Sequence, residues 1–260
     1  MIKNTEAAVL YETNSDLVVE NLNLAAPGPK EVFVQMGAAG VCHSDVHVIS
    51  GQANQIMPCV LGHEGAGLVT SIGKEVINVS VGDHVVLSWL PYCGKCYQCV
   101  RGKTHLCKAY QTPVGNGTLL DGSCRFSNLE GPVRQLGSLG CWSENVVVPE
   151  VCCVPVDKSI PFEIAALLGC AVTTGVGAVL NRAKVQNGET VVVIGAGGVG
   201  LSVVMAAKLK GASQVICIDQ NISARNLAIE LGATDFLVSK QNKDISKKLM
   251  ELTGVGADHV

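Results

Sequence analysis

Hydrophobic and polar positions along the chain follow two different periods. Up to about residue 150, short alternating runs are punctuated by turns. "EVFVQM" (31–36) puts Val32, Val34 and Met36 on one face, and "VGDHVVL" (81–87) is a turn feeding a strand. This predicts a small twisted β-barrel with long loops. From about residue 188 the period changes, because "TVVVI" (190–194) is a continuous apolar run of the kind covered on both faces in a parallel sheet. A glycine cluster, the helical stretch "GLSVVMAAKLKG" (200–211) and a second apolar strand, "QVICI" (214–218), follow and end at Asp219. Residues 191–207 carry no charge, which could pass for a membrane span, but four glycines between two apolar runs argue for strand, turn and helix instead.

Composition narrows the picture. The 260 residues are 48% hydrophobic and 16% charged, too apolar for disorder and enough for one large core or two modest ones. A formal net charge of −3 with no basic footprint argues against a nucleic-acid partner. The start, "MIKNTEAAVLYETNSD", lacks the apolar stretch of a signal peptide, so the protein reads as cytoplasmic, with no membrane partner. In a reducing compartment the 12 cysteines are expected to include metal ligands rather than a disulfide framework.

Four of them lie in "CGKCYQCVRGKTHLC", with Cys93, Cys96, Cys99 and Cys107 spaced C-x2-C-x2-C-x7-C. An iron–sulfur run opens the same way, but there the fourth cysteine follows after about three residues and precedes proline. Here it precedes Lys108. Four thiolates suit a structural Zn²⁺ with every position filled. The site would carry a net charge of roughly −2, which Lys95, Arg101, Lys103 and Lys108 lie close enough in sequence to offset.

A second motif, "GAGGVG", places Gly195, Gly197 and Gly200 in the G-x-G-x-x-G positions, with Gly198 and Val199 between them. Gly195 permits a tight turn, Gly197 lets the backbone approach a pyrophosphate, and Gly200 allows close helix–strand packing. A ligand-free glycine turn is the bland alternative, but a strand before, a helix after and Asp219 closing the next strand favour dinucleotide binding. The Asp219 carboxylate can accept hydrogen bonds from the adenosine ribose and would repel a 2′-phosphate, so NAD is preferred to NADP.

Three segments offer a further metal set: "CHSDVH" (42–47), "LGHEGAG" (61–67) and "LLGCAVTTG" (167–175). Each is weak alone, since a buried cysteine is usually a small hydrophobe. Together Cys42, His63 and Cys170 supply the Cys2His set of a catalytic zinc with an open fourth position.

These motifs, with Gly73 and Val76 and the stretch "LLDGSCRFS" (119–127), resemble the zinc-dependent alcohol dehydrogenases of the medium-chain dehydrogenase/reductase superfamily, in the branch of classes I and III. The resemblance implies an α/β protein: a GroES-like β-barrel catalytic domain with a structural zinc lobe over 1–171, and over 172–260 part of a Rossmann doubly wound parallel sheet. It implies one catalytic zinc on Cys42, His63 and Cys170, one structural zinc, and NAD. Glu64 would sit behind the catalytic ion and Asp45 would orient His63. A primary alcohol, aromatic ones included, would be oxidised to an aldehyde by hydride transfer, or the reverse, its proton leaving through Ser44 and the cofactor ribose to His47. His43 would face the pyrophosphate, and Thr174 and Val199 the nicotinamide. The full-length family members are expected to be homodimers or homotetramers.

Ser44 could instead be the N-cap of a helix, and His47 a plain surface residue. Cys59, Cys124, Cys141, Cys152, Cys153 and Cys217 match no ligand position and are assigned to packing. Trp89 matches a residue of the family's alcohol pocket. In the formaldehyde-adduct branch the loop after the first zinc cysteine carries acidic residues where this chain has Ala53 and Gln55, so an S-hydroxymethyl-thiol substrate ranks second. A Rossmann sheet takes about six strands, whereas this chain reaches about three before ending in "GVGADHV". The sequence therefore reads as C-terminally truncated, with the strand at 191–194 bare along one edge. A poorly soluble, non-catalytic fragment that binds zinc and, weakly, nucleotide is the reading from another class.

Overall fold

The structure is a computed structural model that describes residues 3–241 and 244–260. The chain separates into two compact units, Met1–Cys170 and Ala171–Val260. With strands numbered in chain order, the first unit closes a barrel in the order β1 (Lys3–Leu10), β2 (Val18–Leu24), β7 (Phe126–Asn128), β8 (Gly131–Gln135) and β4 (Cys59–Val60). Its pairs are antiparallel except β4 with β8. A five-stranded antiparallel sheet accompanies it: β10 (Cys153–Val156), β6 (His84–Leu87), β5 (Gly65–Ile72), β3 (Glu31–Ala39) and β9 (Asn145–Pro149). The expected barrel is therefore there, together with a second sheet that simple alternation did not reveal.

Strand β3 explains why. Val32 and Val34 are fully buried as predicted, but Phe33 between them is buried too, and Met36 is only half-buried. With β5 on one side and β9 on the other, the first half of β3 packs both faces into the main core, and the period of two disappears. That core is built of aliphatic side chains such as Val9, Leu22, Leu24 and Val69, closed by Phe126.

The second unit holds a parallel sheet in the order β11 (Thr190–Ile194), β12 (Gln214–Asp219) and β13 (Asp235–Val238). Helix Gly198–Leu209 crosses between the first two, so the apolar, uncharged run at 191–207 is a strand, a turn and a helix. The free edge of β11 is not bare. Val192 N–H donates to the His259 carbonyl at 2.9 Å, and the N–H groups of Asp258 and His259 donate to the Thr190 carbonyl at 3.0 and 3.2 Å. The Asp258 carboxylate accepts from Thr190 N–H at 2.8 Å, and the His259 ring meets Glu189 at 2.8 Å. One helical run unmarked by the sequence reading, Phe162–Ala183, is long and apolar enough to cross a membrane by length and composition.

Candidate functional site

The four cysteines of the 93–107 lobe converge. Gly94 and Gly102 turn the loop at φ of 73° and 74°. The sulfur separations are 4.0 Å for Cys93–Cys99, 3.5 Å for Cys96–Cys99 and 3.9 Å for Cys96–Cys107. Sulfurs placed tetrahedrally at ~2.3 Å from zinc are ~3.8 Å apart, so the set fits the ion. Backbone N–H groups support the charge: Cys96 donates to Cys93 Sγ at 3.3 Å and Cys93 to Cys107 Sγ at 3.4 Å. The Cys99 N–H is the main cause that brings the Cys96 thiol down to about 6. Arg101 donates to the Tyr97 hydroxyl and stacks on its ring, within the same lobe. Lys95, Lys103 and Lys108 are exposed.

The second set also assembles, and a single carboxylate organises it. Helix His43–Ile49 begins with Cys42, not Ser44, as its N-cap, in extended backbone. Asp45, fully buried, uses Oδ2 to accept the Cys42 N–H at 3.0 Å. Its Oδ1 accepts the Gly62 N–H at 3.1 Å and meets His63 Nδ1 at 3.1 Å. The cap of one ligand's helix and the ring of another ligand therefore share one side chain, and a proton held on Nδ1 leaves Nε2 as the ligand atom. Burial opposes charge on His63, but its contacts with Asp45 and Cys170 prevail and lift its pKa to about 11. At Cys42 burial is likewise outweighed, by hydrogen bonds from Ser44 and from His63, and the thiol lies below its ordinary value.

Cys170 arrives on a stretch wound as a π-helix, Leu168–Val172. Gly169 makes this possible, because a Cβ there would stand 2.6 Å from the Leu87 carbonyl oxygen of β6. One ligand atom from each of Cys42, His63, Glu64 and Cys170 lies within 4.8 Å of the others, a donor set suited to zinc. A Glu64 carboxylate oxygen is one of these four atoms, beside the three donors expected to hold the ion. A cavity of about 290 Å³ opens on the cluster, lined by Ser44, His63 and Cys170 at one end and by Val48, Trp89 and Leu136 along its walls. The Trp89 ring meets the His63 ring edge-on at 6.1 Å. His47 packs edge-to-face on His43 at 4.8 Å, an i,i+4 contact on the helix surface.

In the second unit the glycine turn takes the shape its spacing requires. Gly195 has φ of 102°, and Gly197 is the N-cap of helix Gly198–Leu209. A Cβ on Gly200 would fall 1.8 Å from the Gly195 carbonyl oxygen, whereas one on Gly197 would meet nothing within 4 Å. The turn is closed on itself at Gly200 and open above Gly197, a cradle that fits a pyrophosphate at the helix N-terminus. Asp219 accepts the N–H groups of Ala196 at 2.8 Å and Asn221 at 2.7 Å. These bonds, the first above all, hold its pKa below the usual carboxylate value. Helix Thr173–Gly177 packs against Val199 and Ser202 through Gly175, which brings Thr174 and Val199, both exposed, into the same neighbourhood. None of the 12 cysteines is in a disulfide, and of the six assigned to packing only Cys124 is not fully buried.

The chain matches the family models "Alcohol dehydrogenase GroES-like domain" over residues 28–158 and "Zinc-binding dehydrogenase" over 198–260. It is 45% identical to S-(hydroxymethyl)glutathione dehydrogenase of Saccharomyces cerevisiae, across 97% of this chain and 67% of that protein. With the enzyme of that name from Paracoccus denitrificans the identity is 38%, across 98% and 69%. Among solved structures, benzyl alcohol dehydrogenase from Acinetobacter calcoaceticus superposes with a TM-score of 0.90 at 36% identity, covering 98% of this chain and 69% of that one. The chain thus spans about two thirds of the length of the proteins it matches. With both cysteine sets assembled and the glycine turn formed beside Asp219, the chain belongs to the zinc-dependent alcohol dehydrogenases of the medium-chain dehydrogenase/reductase superfamily.

Proposed function

We propose that the protein oxidises a hydroxymethyl group carried on a small thiol, with NAD as the hydride acceptor. The cavity over Cys42, His63 and Cys170 carries this reading, because it offers a reacting end beside a metal-binding set and apolar walls beyond it. The relatives named for S-(hydroxymethyl)glutathione favour the thiol adduct, ranked second on sequence grounds, over a free aromatic alcohol.

Cys42, His63 and Cys170 would hold the catalytic zinc with Glu64 within reach, and Cys93, Cys96, Cys99 and Cys107 the structural one. Zinc in the first position would lower the pKa of the substrate hydroxyl, and NAD would accept hydride from its carbon. The rest is work for the protein's own side chains. Asp45 keeps the proton on His63 Nδ1 and fixes the ring. Ser44 takes the hydroxyl proton, and His47, one turn further along the same helix, exchanges it with solvent. Gly195, Gly197, Gly198 and Gly200 would admit the pyrophosphate, Asp219 would hold the adenosine ribose, and Thr174 and Val199 would flank the nicotinamide. In this reading residues 1–171 are the catalytic domain and 172–260 belong to the dinucleotide-binding domain. The free thiols fit a reducing, cytoplasmic setting.

NAD reduction with formaldehyde plus a panel of thiols, set beside benzyl alcohol, tests the substrate class. For at least one adduct kcat/KM should exceed that for benzyl alcohol by about tenfold or more, as expected when remote binding energy is used in the transition state. A clear preference for benzyl alcohol returns the assignment to free aromatic alcohols. Asp219→Ser tests the cofactor reading. Removing a charge that would oppose a 2′-phosphate should narrow the NAD over NADP preference by about tenfold. Equal kcat/KM for the two cofactors in the unaltered protein would contradict it.

A further inference from the structure

Trp142 belongs to none of the motifs above, yet it reaches the chain beside Cys42 and the chain beside His63. Just past the end of β3, the Gly40 carbonyl accepts the Trp142 indole N–H at 3.0 Å, and the Gly40 N–H donates to the Glu64 carbonyl at 3.0 Å. Gly40 has no side chain to hold it, and a Cβ there would fall 2.2 Å from Glu64 Oε2. Val41, the next residue, is 72% exposed, so its side chain anchors little. The position of Cys42 therefore depends on the two hydrogen bonds of Gly40 before it and on the Asp45 cap at its own N–H.

Trp142 meets the approach to His63 as closely. The N–H groups of Cys141 and Trp142 donate to the Gly62 and Leu61 carbonyls at 2.9 and 3.0 Å. Gly62 has φ of 87°, and a Cβ built on it would stand 2.4 Å from the indole Cδ1. The ring thus fills the space that a side chain at residue 62 would need. It also packs against the cluster of Leu10, Val48, Cys59 and Leu61, in which Val48 belongs to the helix that Cys42 caps.

Partners behind metal ligands set where the donor atoms lie, and losing one typically costs about 10- to 100-fold in metal affinity or activity. The indole N–H can only donate, so its bond to the Gly40 carbonyl has one sense. We propose that Trp142 is a positioning residue that fixes the spacing of Cys42 and His63, and with it the affinity and geometry of the metal site. Asp45 grips the Cys42 N–H and the His63 ring directly, whereas Trp142 acts one step further out, through Gly40 and Gly62. The proposal rests on the reading that Cys42, His63 and Cys170 hold the catalytic ion, and it is independent of which hydroxyl compound is oxidised.

Two replacements remove the donor and keep an aromatic ring: Trp142→Phe, and benzothienylalanine inserted at position 142, which puts sulfur where the indole has its N–H. In both, chelator competition on the zinc-loaded protein should find the ion at Cys42, His63 and Cys170 held about tenfold more weakly. The ion at Cys93, Cys96, Cys99 and Cys107 should be held as before and is the internal reference. With cobalt at the first site, the visible absorption bands should move, because they report coordination geometry. A merely structural role would lower the unfolding temperature and leave that affinity and those bands unchanged. Such a result overturns the proposal, and so does a loss shared equally by the two metal sites. Cys42→Ser with Trp142 intact separates this failure from failure of the metal reading: cobalt bands that survive it show that the ion does not sit on Cys42, and then both fall.

Discussion

Cys99→Ser should release one of two bound zinc ions and unfold the 93–107 lobe while the barrel stays folded. Little else holds this lobe together. Tyr92, Tyr97, Val100 and Leu106 are all exposed, and of the four ligands Cys99 and Cys107 are the buried ones. With no apolar core of its own, the lobe's folded state depends on the metal, whose binding to such sets is worth about 10–16 kcal/mol in isolated peptides. Serine offers a poor ligand in place of a thiolate, so several kcal/mol of local stability, roughly 4 or more, should be lost. The main core contains no residue of the lobe. The far-ultraviolet spectrum should therefore change little, while proteolysis and amide exchange become fast between residues 93 and 107. Metal analysis finding iron, or one zinc in the unaltered protein with these cysteines reactive, would contradict the assignment.

Features legible in the sequence were those whose parts are neighbours along the chain. The four-cysteine spacing, the glycine fingerprint and the strand ending at Asp219 each lie within one or two local elements, and there backbone geometry follows from residue order. The Cys42, His63 and Cys170 set was legible as residue types that together make a Cys2His donor set, and the family resemblance supported it, but no local period brings residue 170 to residue 42. What joins them is tertiary: Gly169 lying against the Leu87 carbonyl, and Asp45 reaching from one helix to the next ligand. Side-chain competition hid other details. Cysteine at the N-cap of His43–Ile49 is not a residue that propensity would choose, and it stands there because the Asp45 carboxylate takes its N–H. Phe33 is buried because β3 is an inner strand, a fact of sheet order that alternation cannot carry.

Cys170→Ser should have the opposite profile from Cys99→Ser: the fold retained, the other zinc lost and turnover abolished. Cys170 lies at the last position of its compact unit and at the rim of the reacting cavity. It is outside the main core, whose packing the substitution leaves untouched. Removing its sulfur leaves Cys42, His63 and Glu64 of the four groups that could hold the ion. Two protein ligands and a carboxylate hold zinc less tightly than the Cys2His set, so metal content should fall from two ions per chain towards one. Without the ion the substrate hydroxyl keeps its ordinary pKa, and Ser44 has no acidified proton to take. Loss of the several kcal/mol that a Lewis acid contributes corresponds to a fall in kcat of about a thousandfold or more. Binding of NAD through Gly195, Gly197 and Asp219 needs none of these ligands and should remain within about twofold, since well-separated sites are close to additive. A variant that kept both zinc ions and its turnover would place the reacting centre elsewhere; one that lost zinc, activity and the barrel's cooperative unfolding together would show that the ion at Cys170 is structural.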